Sequence, residues 1–493
     1  MRVSIRSYLA VLPLALLATL APDASAQYLE YRADELGVPV DPAARGIRLL
    51  AMGGMRFTIP DENNEITLSD FGQNIAGIAS DKDGWSVESW FSRSRTVDES
   101  SRLVGDETLR DRLALTSEVM NNRVIYRNGS GRAVGSSFQW VAHSTSDRYG
   151  DRSKIRGPLL QAFWNESIGD LALGLSLQRW TDRQSLVSPD VFSIQHRSDV
   201  FGWTVAGSYP VAFLELGAQA TIERVTIEGS SRDASGFHQD DLEWLRPTKK
   251  FRFSAFLPNG GDLELGVNLS TFTLDGAEEA NISWSRQFPG NPGGFQFDRK
   301  VPTFEEEESG TRIEARALYW LGWAPRVSGF VAHESRSSDV TESPNFIGSR
   351  RQGSLDRSRN EIGGGLGTSL FDEELTLAVE GMGIFTTDDT VDLYGAKAQT
   401  KARDVSGRVG FEWFTRPDFI LRGGYERLLL DSDVDGPFTL QTGQAASVGF
   451  GWVPKGATYV LDGLFRYVDR TPDETGGEER DGFELAVYGR LLF

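Results

Sequence analysis

The chain contains no cysteine, which excludes disulfides and thiolate metal sites, so an exported form must hold together without staples. Histidine is nearly as scarce. The four present, His143, His196, His238 and His333, show no metal-ligand spacing. No run after the first 26 residues is apolar over the roughly 18 positions that a membrane-spanning helix needs. Positive charge is in deficit: 51 Lys and Arg against 70 Asp and Glu leave a formal charge of −19, which argues against a nucleic-acid partner. Hydrophobic residues make up only 39% of 493, too few for a conventional core of that size.

What is present begins with an export signal. Arg2 and Arg6 precede an apolar segment from Tyr8 to Leu20, and Ala24-Ser25-Ala26 supplies a small-x-small cleavage site. Residues 1–26 are therefore expected to be removed. An exported chain without a spanning helix is either soluble outside the cytoplasm or a membrane barrel, because only a closed sheet otherwise satisfies every backbone group in lipid.

Strict alternation recurs from about residue 85 onward. Leu171, Leu173, Leu175 and Leu177 alternate with small or polar residues, as do Leu263 to Leu269, Val409 to Trp413 and Tyr459 to Tyr467. In the last strand Phe483, Leu485, Val487, Leu491 and Phe493 fall opposite Glu484, Ala486, Tyr488 and Arg490. Twelve Trp and 29 Phe accompany 53 Gly. One apolar face and one wet face per strand, with abundant aromatics, is the pattern of a transmembrane β-barrel. The connections fall into two kinds. Tight turns are expected at 128–131, 165–170, 209–210, 258–262, 323–325, 372–374, 416–418 and 454–456. Longer polar stretches, Ser144 to Arg156, Glu228 to Asp241, Ser335 to Asn360 and Thr471 to Asp481, read as outer loops. Aromatics gather beside the tight turns: Trp164, Tyr209, Phe213, Phe256, Trp320, Trp323, Phe371, Phe414, Phe419, Trp452 and Tyr459, with Phe493 level with them. Such rings collect at a lipid–water boundary. Eight turns join sixteen strands, and an opening strand near Trp85 plus the closing strand make eighteen. The expected fold is all-β: an antiparallel transmembrane barrel over 85–493 of about 16–18 strands, with 14 as the lower alternative.

Residues 27–84 do not alternate. Ala51-Met52-Gly53-Gly54 and Asn74-Ile75-Ala76-Gly77-Ile78-Ala79 resemble two short elements of the amino-terminal region of FadL-type outer-membrane transport proteins, although Ile75 stands where that family usually has Pro. The acidic insertion Asp61 to Glu65 and the excess over the family's fourteen strands are further departures. The resemblance implies that this segment is a plug, with Met52, Gly53, Gly54, Asn74, Ala76 and Gly77 packing into the lumen, and that the solute is a small molecule, hydrophobic ones included. A leader without specialised function is the alternative. The closing strand resembles those that the barrel-assembly machinery reads, which implies a Gram-negative outer-membrane location, with lipid and lipopolysaccharide as surroundings.

Catalytic chemistry finds little support. His143 beside Ser144, and His333 beside Glu334, are the only pairs of the kind a hydrolase needs, and no enzyme is expected. Asp431 to Gly436 opens like a calcium loop, but Thr442 occupies the position of the bidentate Glu, so the stretch reads as a polar outer loop with weak calcium binding as the alternative, and no metal or cofactor site is expected. Arg312, Glu314, Arg316, Arg408, Glu412, Arg422, Glu426, Asp462 and Arg466 fall on polar faces and are the candidates for the lumen wall. Their mixed signs suit ion-pair ladders better than a single-signed selectivity ring. Where Phe272, Leu318 and Phe330 enter that face, a greasy patch is conceivable. The expected function is a channel or transporter for small molecules. The alternative is a non-transporting scaffold of a secretion or surface complex.

Overall fold

The computed structural model describes Ala51, Met52, Met55 and residues 84–492, apart from gaps at 105–106, 129–130, 147–151, 189–191, 234–236, 258–261, 289–290, 323–324, 343–350, 372, 392–394, 435–438, 455–458 and 473–477. The expected signal segment 1–26 lies outside the described residues, as do Gly53, Gly54, Asn74, Ala76, Gly77, Trp323 and Phe493. Eighteen strands follow one another: β1 Gly84–Val104, β2 Glu107–Asn128, β3 Arg132–Ser146, β4 Arg152–Ile168, β5 Leu171–Ser188, β6 Phe192–Val211, β7 Leu214–Asp233, β8 Phe237–Leu257 and β9 Leu263–Phe288. Then come β10 Asn291–Trp320, β11 Arg326–Glu342, β12 Arg351–Leu370, β13 Leu375–Val391, β14 Lys397–Arg416, β15 Phe419–Val434, β16 Thr439–Trp452, β17 Tyr459–Pro472 and β18 Glu478–Leu492.

Each strand pairs antiparallel with its sequence neighbours, and β1 also pairs with β18, from Ser86↔Leu492 to Ser100↔Glu478. The sheet is thereby closed and has no free edge. The eight expected tight turns fall at or beside the connections β2–β3, β4–β5, β6–β7, β8–β9, β10–β11, β12–β13, β14–β15 and β16–β17, all at one end of the ring. Tyr209 and Pro210 are still paired in β6, so the chain reverses just after them at Ala212-Phe213, and residues 129–130, 258–261, 323–324, 372 and 455–456 of the expected turns lie outside the described residues. Gly169-Asp170 suffices between β4 and β5, with Gly169 at φ 62°, and Gly131 at φ 76° closes the β2–β3 turn through its N–H to the Asn128 carbonyl at 3.1 Å.

The two faces differ as the alternation requires. Outward positions carry exposed Leu175, Leu177, Phe201, Val205, Phe253, Leu366, Val379, Val448 and Val487. Apolar groups left exposed in such number on one face of a closed sheet are covered by hydrocarbon, not by protein. Beside the turns, Trp164, Tyr209, Phe213, Phe371, Phe414, Trp452 and Tyr459 are exposed, Phe256, Trp320 and Phe419 half-buried, and Trp452 meets Tyr459 edge-to-face at 5.4 Å.

At the opposite end the structure departs from the expectation of long loops. Most of those polar stretches are continuations of the strands. Asn281 to Phe288 and the acidic stretches Asp275 to Glu279 and Glu305 to Glu308 belong to β9 and β10, whose pairing runs from Tyr319↔Leu263 to Asn291↔Phe288. Ser335 to Glu342 likewise stays in β11. The physical reason is that hairpin hydrogen bonds need no apolar face once the strands leave the membrane, so loss of hydrophobic alternation did not mark the ends of pairing.

Candidate functional site

Facing inward, the wall is built from rows that register sets strand by strand. Arg408 donates through Nε to Glu426 at 2.8 Å, and Arg466 reaches the other oxygen of Glu426 at 2.6 Å. Two rows toward the turns, Arg422 donates to Glu412 at 2.7 Å and also pairs with Asp462. Arg123 and Glu88 pair at 2.6 Å with both side chains buried. On β9 to β12, Arg312 joins Glu314 at 3.2 Å, Glu334 at 3.2 Å and Glu361 at 2.9 Å, and Arg316 pairs with Glu264 at 2.8 Å. The nine charged candidates of the sequence thus all stand on the inward face, each in an ion pair with a neighbouring strand or within its own. Charge taken from water is tolerated only with such partners.

A ladder of hydroxyl and amide side chains, closed by one ion pair, crosses the other wall. Ser137 donates to Gln161 at 2.9 Å, Gln161 to Gln178 at 3.2 Å and Gln178 to Glu223 at 2.7 Å, and Lys250 ends the series on Glu223 at 2.9 Å. Gln178 and Glu223 meet across β6 because Gly202 lies between them, and a Cβ there would stand 2.9 Å from the Gln178 amide nitrogen.

Between two charged rows runs a trough of small residues: Ala378, Gly410, Gly424 and Ser447 are successive register partners on β13 to β16. The row above holds Glu380, Arg408 and Glu426, and the row below holds Thr376, Glu412 and Arg422. Residues from the amino-terminal segment occupy the trough. The Ser447 hydroxyl donates to the Ala51 carbonyl at 3.0 Å, a Cβ on Gly410 would overlap the Met52 carbonyl, and one on Gly449 would stand 2.5 Å from the Ala51 Cβ. Met52 and Met55 are fully buried against Ala378, while Ala51 packs with Trp90, Val119, Val141, Leu464 and Ala486.

This apolar cluster on β1, β2, β3, β17 and β18 is the part of the wall that the sequence reading missed. Its signal was available: Trp90 falls between Glu88 and Ser92, and Leu464 between Asp462 and Arg466, so each interrupts a polar face. Of the interruptions expected from the sequence, Leu318 is fully buried, and Phe272 lies across Gly310. The histidine pairs come apart. His143 faces inward and Ser144 outward, and His333, outward and in contact with Asn360 at 2.8 Å, stands opposite in face to Glu334. Among the described residues no group of three His, Asp or Glu is arranged to hold a metal ion, and the calcium-like stretch lies partly outside them.

No protein-family model and no curated protein matches the chain. Among solved structures it is similar to the P. putida toluene transporter TodX, at 11% identity and a TM-score of 0.35 over 92% of this chain and 99% of that one. The Ralstonia pickettii toluene transporter TbuX gives 11% and 0.33 over 92% and 99%. The ferric-catecholate import receptor Fiu from E. coli K12 gives 11% and 0.42 over 83% and 82%. At such values the likeness adds nothing to the strand pairing above, which by itself carries the architecture of an outer-membrane-type barrel.

Proposed function

We propose that the chain is an outer-membrane channel or transporter for small molecules, whose lumen is narrowed by the segment around Ala51 to Met55. The observation that carries this reading is the seat of that segment in the trough Ala378–Gly410–Gly424–Ser447. A ring of eighteen strands is wide enough to leave an aqueous channel unless something fills it. A wall whose only role was rigidity has no need of a groove that accepts backbone from elsewhere in the chain. Passage then requires this segment to move aside, or to leave a path beside it along the uncharged part of the ladder from Ser137 to Gln178.

Removal of residues 30–80 is expected to raise single-channel conductance in planar bilayers and to speed liposome swelling by neutral solutes. The solutes to compare are sugars and aromatic or long-chain compounds. Unchanged conductance would remove the plug, and an intact barrel that passes no solute in either form would favour the scaffold alternative.

A further inference from the structure

Beyond the apolar band, one sector of the outward face carries a row of arginines. On β4, β5 and β6, Arg156, Arg183 and Arg197 are successive register partners, and all three are exposed. Arg183 and Arg197 lie four positions beyond Arg179 and Phe201, which are themselves register partners at the top of the apolar band. Lys154 adds a further exposed cation on β4, and Glu228 on β7 ends the row. On the other wall both signs stand near that height: Asp389, four positions beyond the exposed Phe385, is partnered by Asp356, and the exposed Arg403 and Lys401 of β14 are the register partners of Phe385 and Thr387. Four residues of a strand tilted by about 40° rise about 10 Å, which puts the arginine row at headgroup height, above the acyl chains.

A chain with a formal charge of −19 nonetheless places three exposed arginines in successive register at that height. We propose that Arg156, Arg183 and Arg197 form a binding site for a phosphorylated lipid headgroup of the outer leaflet. The guanidinium fork matches phosphate oxygens in bidentate fashion, and a headgroup with two phosphates spans adjacent strands about 4.8 Å apart. The occupant is an anionic lipid, not a free anion, because the row continues the hydrocarbon-covered surface and the acyl chains lie over Leu160, Leu177 and Phe201. The inference rests on the membrane-barrel reading and extends it to one sector of the rim.

The test is native mass spectrometry of detergent-purified full-length protein with diphosphorylated lipid A, fully dephosphorylated lipid A and inorganic phosphate. The wild type is expected to retain the diphosphorylated lipid. The variant Arg156→Gln/Arg183→Gln/Arg197→Gln is expected to lose on the order of tenfold or more in affinity, as removal of charged hydrogen bonds implies. Arg183→Gln alone, the central substitution, should show a partial loss and serves should the triple variant not fold. Lys401→Gln/Arg403→Gln on the other wall should bind as the wild type does. Equal retention by the Arg183→Gln or triple variant, equal binding of the dephosphorylated lipid, or an equal loss in the control variant would each overturn the site. Binding of inorganic phosphate as strong as that of the lipid would do so too. The membrane-barrel reading fails separately, if the protein stays soluble without detergent and shows no heat-dependent change in electrophoretic mobility.

Discussion

The smallest side chain on the inner wall, hydrogen at Gly410, sets how closely the amino-terminal segment approaches. A methyl group there meets the Met52 carbonyl, a backbone atom that has no alternative rotamer. Gly410→Ala should therefore displace the segment while leaving the strand pairing intact, and single-channel conductance should rise toward that of the 30–80 deletion. Gly407→Ala, whose Cβ would meet nothing within 4 Å on the outward face, should not change it. The ion pairs beside the trough make a second argument at this scale. Arg422 stands between Glu412 and Asp462, and the Arg422 and Glu412 side chains are 5% and 2% exposed. Arg422→Met takes the guanidinium from between two carboxylates, at a cost of about 3–5 kcal/mol by analogy with other buried pairs. The unfolding midpoint in denaturant should fall accordingly. A triple variant that also carries Glu412→Gln and Asp462→Asn should recover most of it, because amides do not repel. If the single and triple variants unfold together, the pairs do not hold this part of the wall.

At the scale of the element, the closing pair is where stability is least local. β18 is bonded on both sides, Val487 lying between Phe91 of β1 and Gly463 of β17. Val487→Pro deletes a ladder donor in a strand with no free edge. The expected result is loss of the folded, heat-modifiable species on refolding into detergent, whereas Val487→Leu should keep it. Elements were also the most legible level of the sequence. Tight turns such as Gly169-Asp170, with Gly169 at φ 62°, and Arg416-Pro417-Asp418 stand out because glycine, proline and aspartate punctuate the chain there, and alternation between them follows from lipid on one side and polar lumen on the other. The extent of β9 and β10 was not legible, because outside hydrocarbon nothing forces an apolar face onto a paired strand. The trough was hidden for another reason. Gly410 and Gly424 look like any glycines on a polar face until register aligns them with Ala378 and Ser447. The seat of Ala51 on Trp90 and Leu464 joins residues far apart in the chain, and alternation within one strand carries no information about that.

For the molecule as a whole, the inner surface is charged without being of one sign. Glu88 faces Arg123, Glu264 faces Arg316, Glu426 faces Arg408 and Arg466, and Glu361 faces Arg312 and Arg359. Selective ion pathways need an excess of one sign at close quarters, and paired charges a few ångströms apart cancel within a Debye length of about 10 Å at 0.1 M salt. The pore opened by deleting residues 30–80 should therefore discriminate weakly, with a cation-to-anion permeability ratio within about threefold of unity by reversal potential. Breaking one pair should change this in a chosen direction. Arg316→Gln leaves Glu264, whose side chain is 12% exposed, without its guanidinium partner and should tilt the ratio toward cations, more at low salt than at high. A strongly selective pore before that substitution would mean that the pairs seen along the wall are not what a permeating ion meets.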